Sequence, residues 1–235
     1  MQLEEHTVES SSGEYIRKVW ILEPPRERPH KFGIFLDAEI YLHRMDAQEI
    51  LTHLQAEGTI PPITAVFVSH VDGAARHHDL TCNPKYAKFI AEDLLGWLRD
   101  RNQSIPSQGH LIAGPSLGGL ASAHLALAYP QTFPHCLSHS GSFWWQEEWL
   151  TAHIDQFPAS HGNFWISVGD QETQTGIAHP PTGLYQEVAQ LPACERFAEA
   201  LRERGHRTRF SLHEGSHSFE PWEEELPEAL AWLLH

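Results

Sequence analysis

The chain has 235 residues, 41% of them hydrophobic and 20% charged. That is enough for one large α/β domain over residues 1–235 with a full core, and too little for two. Sixteen Lys and Arg against 31 Asp and Glu leave a net charge of −15, which speaks against nucleic acid or an anionic membrane as a partner, since both need a basic face. The 18 histidines are expected to make that charge much less negative as the pH falls through their usual range near 6.5.

In chain order, residues 1–15 are acidic and polar with no apolar leader core, and no later run approaches the length of a membrane span. Cys82, Cys136 and Cys194 are far apart with no C-x-x-C spacing, which fits free thiols in a reducing compartment. A cytoplasmic protein is expected. Residues 14–22 have the β-branched and aromatic content of a strand ending at Pro24-Pro25. Residues 31–37 read as a buried strand followed by a functional loop at Asp37-Ala38-Glu39, and 46–56 as a helix with Asp46 as N-cap. A second buried strand covers 63–69, and a polar loop covers 70–83. Pro84 opens a helix to about Arg99, its missing N–H harmless in a first turn.

Residues 110–126 carry the main signal. Leu111-Ile112-Ala113 suits a buried strand, Gly114-Pro115-Ser116-Leu117-Gly118 is a Gly-x-Ser-x-Gly turn, and an Ala/Leu-rich helical run follows. Strand, sharp turn and helix is the context that makes this pentapeptide a nucleophile elbow. Further strands are expected at 135–140, 163–169 and 209–213, with helices at 188–204, closed by Gly205, and 221–234. Residues 173–192 read as a loop or small lid. The alternation predicts an α/β-hydrolase fold, with a mostly parallel central sheet and helices on both faces.

A serine hydroxyl needs a neighbouring base. In α/β-hydrolases the chain order is Ser, acid, His, and that order is available here. Glu172 follows the 163–169 strand and His217 follows the 209–213 strand, so both belong at strand C-terminal edges with Ser116. His217 is the expected base and Glu172 the expected acid, with Asp170 as competitor. The oxyanion hole is expected from the Leu117 backbone and from the Asp37–Glu39 loop, with Glu39 first and Ala38 next.

Several segments then resemble the enterochelin (ferric enterobactin) esterases and the wider esterase group of α/β-hydrolases that includes the mycolyltransferases. They are Leu36-Asp37-Ala38-Glu39, the run from Val71-Asp72 through Arg76 to Asp79-Leu80 with Cys82-Asn83, Gly114 to Gly119, Ser138 to Trp145, and Gly215-Ser216-His217 with Phe219 and Trp222. The resemblance covers residue 14 to the C-terminus and implies a small-molecule ester substrate; no cofactor and no metal are expected, since the His-rich loop lacks a His-Glu-x-x-His spacing. It also implies that Arg76 contacts substrate or braces the site; a salt bridge with Asp72 or Asp79 is the plain alternative. Trp144 and Trp145 line an aromatic-friendly pocket or pack the core. Pro115 and Ala38 depart from the family's residues at those positions. No counterpart of the separate N-terminal domain of the larger siderophore esterases is expected in these residues, which bears on the siderophore substrate and not on the ester chemistry.

The reading is a cofactor-independent serine carboxylesterase acting on a siderophore trilactone or a simpler ester. An acyltransferase, a non-catalytic binding module and a metallohydrolase built on His70, Asp72, His77, His78 and Asp79 are the alternatives, and a homodimer is left open. A ferric catecholate is strongly anionic, so it would need a basic patch, for which Lys31, Arg44, Arg76, Lys85 and Lys88 are the candidates.

Overall fold

The computed structural model describes residues 2–24, 31–180 and 182–235. Pro25, expected to end a strand, and Pro181 of the expected 173–192 loop lie outside them. Strand β1 (Glu4–Glu9) pairs antiparallel with β2 (Ile16–Leu22), although the acidic N-terminus gave no strand signal. It lies at the sheet edge and buries only Val8, so its order comes from pairing with β2 and not from its own apolar content.

After β3 (Lys31–Leu36), the segment expected as a functional loop is instead helical: α1 (Ala38–Arg44) begins one residue past Asp37. In α2 (Ala47–Glu57), Asp46 occupies the N-cap position but makes no side-chain cap bond, because its backbone is left-handed at φ 41°. Strand β4 (Ile63–Val68) is buried along its whole length. The expected polar loop at 70–83 holds α3 (Gly73–Leu80), capped by the Asp72 carboxylate accepting from Ala75 N at 2.8 Å. The next helical run comprises α4 (Pro84–Lys88), a π-turn over Phe89–Leu94 and α5 (Leu95–Arg101). It starts at Pro84 as expected, with Asn83 as its side-chain cap.

Then come β5 (Leu111–Pro115), α6 (Leu117–Ala128), β6 (His135–His139), α7 (Trp145–Ala152) and β7 (Asn163–Gly169). Residues 173–192 are a corrected expectation: they contain a hairpin of β8 (Ile177–His179) and β9 (Leu184–Gln186), and α8 (Gln190–Glu203) begins inside them. The chain closes with β10 (Arg207–His213) and α9 (Phe219–Leu234).

The main sheet runs β1-β2-β4-β3-β5-β6-β7-β10 and is parallel from β4 to β10. One core cluster packs α6 and α8 against one face, with Phe133, Phe143 and Phe197 among its largest members. The other packs α1, α2 and α9 against the opposite face around Tyr41, Trp165 and Trp222. Covering both faces explains why β3, β4 and β5 read as continuous apolar runs. All parallel strands share one direction, so their C-terminal ends, and the loops leaving them, gather along one rim.

Four of the 18 histidines fall well below the usual range near 6.5. His110, His124, His135 and His206 are pushed down to about 4, mainly because burial disfavours the charged ring. Two of them also accept backbone N–H groups on Nδ1, Phe32 N to His110 at 3.2 Å and Gly162 N to His206 at 3.0 Å, which only an unprotonated nitrogen can do. Their folded values lie below the unfolded one, so their contribution is full above about 6.5 and is lost as the pH falls towards 4. Each such ring costs up to about 1.4 kcal/mol per pH unit below 6.5. The urea midpoint at pH 4.5 is therefore expected to fall well below that at pH 7. An unchanged or higher midpoint would contradict the neutral, buried assignment.

Candidate active site

The elbow is built from the backbone upward. Leu111, Ile112 and Ala113 are buried in the sheet interior, and β5 ends at Pro115. Ser116 then takes φ 55° and ψ −121°, a conformation sparsely populated by L-residues and held only when surroundings over-determine it. Here its N–H donates to His139 O at 2.8 Å, and its carbonyl accepts from Gly119 N, Leu120 N and Ser142 N at 3.0, 3.1 and 3.0 Å. A Cβ at Gly114 would overlap the Gly118 carbonyl, and one at Gly119 would come within 2.9 Å of Gly141 Cα. Glycine at these two positions lets strand, turn and helix close on each other.

Two further loops reach the same rim. β7 and β10 pair in register, with Gly169 opposite His213. Asp170 N donates to His213 O, and Gly215 N donates to Asp170 Oδ1 at 2.9 Å, so Asp170 ties the two loops together. Glu172 turns inward. Its Oε2 lies 2.6 Å from His217 Nδ1, and its Oε1 accepts from Ser140 Oγ at 2.6 Å and from Gly169 N at 2.8 Å. Burial by itself raises this carboxyl, but the bonds from His217, Ser140 and Gly169 outweigh it and hold Glu172 below the usual carboxylate range. Trp222 Nε1 donates to Ser140 Oγ at 3.0 Å, and its indole meets the His217 ring edge to face at 4.9 Å. Gln190 Nε2 donates to the carbonyls of Ser140 and Gly141, fixing the loop that carries this serine.

The Asp37 segment lies on the other side of the elbow. Asp37 is left-handed at φ 60°, and Ala38 and Glu39 follow in the first turn of α1, where backbone N–H groups have no intrahelical acceptor. Leu117 and Gly118 stand in the same position in α6. The positive φ falls on Asp37 and not on Ala38, so the alanine that departs from the family pattern is unstrained. The Asp37 carboxylate is buried and grips Arg76 through Nε at 2.9 Å and Nη2 at 2.7 Å. Arg76 thus pairs with neither Asp72, which caps α3, nor Asp79, which binds Arg17. It braces the Asp37 turn from behind. His70 Nδ1 lies 3.1 Å from Asp37 and 2.9 Å from Glu39, and these two carboxylates raise it to about 9 against the effect of burial. For Glu39 burial acts upward, and its bonds to His70 and Ser69 outweigh it, bringing the carboxyl to about 2.

Ser116, Glu172, His217 and Trp144 share the walls of one cavity of about 210 Å³. Trp144 stacks on His179 of the hairpin at 5.2 Å and 8°, while Trp145, half-buried, packs edge-on against Trp149 at the border of the core. Arg76 and Glu39 do not contribute to these walls. Among the described residues no group of three or more His, Cys, Asp or Glu side chains is placed to hold a metal ion. All three cysteines are buried free thiols, raised by that burial. Ser140, Gln190 and His179 escaped sequence reasoning. Ser140 lies in the Ser138–Trp145 segment, but nothing local links it to a glutamate 32 residues on.

Residues 10–233 match the Esterase family, described as "Putative esterase". An iron(III) enterobactin esterase of Dickeya dadantii is 28% identical over 229 residues, covering 93% of this chain and 52% of that protein. The chain thus spans about half the length of this curated relative. The crystal structure of the enterobactin esterase FES from Shigella flexneri superposes with a TM-score of 0.85 at 23% identity, over 99% of this chain and 58% of that one. A ferulic acid esterase gives 0.73 at 16% identity, over 99% and 98% of the two chains. At these identities the structural likeness establishes the α/β-hydrolase fold.

Proposed function

This chain belongs to the Esterase family, and on that premise we propose that it is a serine carboxylesterase with Ser116 as nucleophile, His217 as base and Glu172 as acid. The observation that carries the reading is the His217 Nδ1–Glu172 Oε2 contact of 2.6 Å, with that imidazole and Ser116 on the wall of one cavity.

The chemistry follows from the tautomer. Glu172 accepts from Nδ1–H, which leaves Nε2 with its lone pair towards the cavity. Nε2 takes the Ser116 hydroxyl proton as Oγ attacks the ester carbonyl. The tetrahedral oxyanion is stabilised by the Leu117 backbone N–H and by a second N–H from the first turn of α1, that of Ala38 or of Glu39, the latter also turned to its own carboxylate. The intermediate collapses when the imidazolium returns its proton to the leaving alcohol. Water then attacks the acyl-Ser116 ester with Nε2 again as base, the acid is released and Oγ recovers its proton. Glu172 stays ionised throughout and balances the transient imidazolium. Arg76 acts at one remove, by fixing the Asp37 turn from which the second oxyanion donor springs. Because the Dickeya relative is named for iron(III) enterobactin, that trilactone is one substrate to test; a compact ester is another.

A fluorophosphonate probe tests the reading directly. Wild type is expected to gain one phosphonyl group on the peptide carrying Ser116, the mass of the probe less HF because fluoride leaves, and Ser116→Ala none. A folded wild type that resists the probe would overturn the proposal.

A further inference from the structure

On the reading that Ser116 is an esterase nucleophile, we infer that this site is built for compact, uncharged carboxylic esters and turns polyanionic ones away. The cavity of about 210 Å³ is small against the about 300–1,000 Å³ of pockets that enclose drug-sized ligands. Its polar lining includes Gln171, Gln174 and Gln186. Amides offer both donors and acceptors to a neutral polar group and carry no charge to select an ion. The described residues lining the cavity include no Lys or Arg.

None of the cations that could have formed a basic patch lines the cavity, and most are already engaged. Lys85 pairs with Glu14 at 2.9 Å and Lys88 with Glu92 at 3.9 Å. Arg76 is held by the buried Asp37, and Arg44 lies over the Phe219 ring at 5.4 Å. Lys31 opens β3, which runs parallel to β5, so it sits at the edge of the sheet opposite Ser116. The Glu172 carboxylate, held ionised, is instead the fixed charge on the cavity wall. With a chain charge of −15 around it, an anionic substrate meets long-range repulsion and finds no Lys or Arg on the cavity wall; His70 and Arg76 nearby are already paired with Asp37 and Glu39.

The test compares two esters of nearly equal size, 4-nitrophenyl butyrate and 4-nitrophenyl hemisuccinate, which differ by a terminal carboxylate. Above the uncatalysed rates, kcat/KM is expected to favour butyrate by about tenfold or more at low ionic strength, a bias of about 1.4 kcal/mol. Gln174 is exposed at the cavity mouth, and Gln174→Arg should narrow that ratio severalfold by supplying the missing cation. Equal rates, a preference for hemisuccinate, or a probe-reactive wild type that cleaves neither ester would overturn the inference while leaving the esterase reading standing. Loss of fluorophosphonate labelling in wild type would instead remove the esterase reading itself.

Discussion

Ser116→Ala is expected to lower ester turnover by about two orders of magnitude or more while leaving the thermal melt close to that of wild type. The alanine keeps the Cβ and the backbone that hold the elbow. The three bonds to the Ser116 carbonyl and the one from its N–H do not involve the hydroxyl. What disappears is the atom that attacks. The residual rate would come from substrate binding and the oxyanion donors alone. Turnover of 4-nitrophenyl butyrate, with circular dichroism to verify folding, decides the matter. Near-full activity in a folded variant would exclude Ser116 as nucleophile.

Glu172→Gln should be as severe or worse, at about three to four orders of magnitude in turnover, by analogy with the loss of an orienting aspartate in serine proteases. The glutamine can still accept from Ser140 Oγ and Gly169 N through its carbonyl oxygen, which directs its NH2 at His217 Nδ1. That nitrogen must then accept, so the ring proton moves to Nε2 and the base facing Ser116 is lost. Asp170→Asn provides the contrast. Asp170 Oδ1 accepts only a backbone N–H in the bond described, from Gly215, and an amide oxygen does the same, so less than about a tenfold loss is expected. Both variants should be measured for turnover and for melting temperature. The reverse pattern, with Asp170→Asn crippled and Glu172→Gln active at an unchanged melt, would reassign the acid.

Much of this was legible because it is local. A buried apolar run reports a parallel strand whose two faces are covered, and that held for β3, β4, β5 and β7. The helix at α3 was missed although Asp72 is a proper cap three residues before Ala75, because His, Arg and Asp dilute its apolar periodicity. α1 has little signal of its own because its seven residues make only about two turns, too few to show a helical apolar period. β1 depends on a partner strand and has little signal of its own.

The sequence by itself determined the strand, the glycine-flanked turn and the helix around Ser116, and the order of serine, acid and histidine along the chain. Those depend on neighbouring residues, whose steric and apolar preferences act over a few positions. Only the tertiary structure decided that Glu172 and not Asp170 meets His217, 45 residues away, and that Arg76 grips Asp37. It also decided that no Lys or Arg among the described residues lines the cavity. Side-chain direction at a strand end changes with every residue, and ion pairing is settled by which loops share a rim; both follow from the register of parallel strands, which no local stretch of sequence encodes.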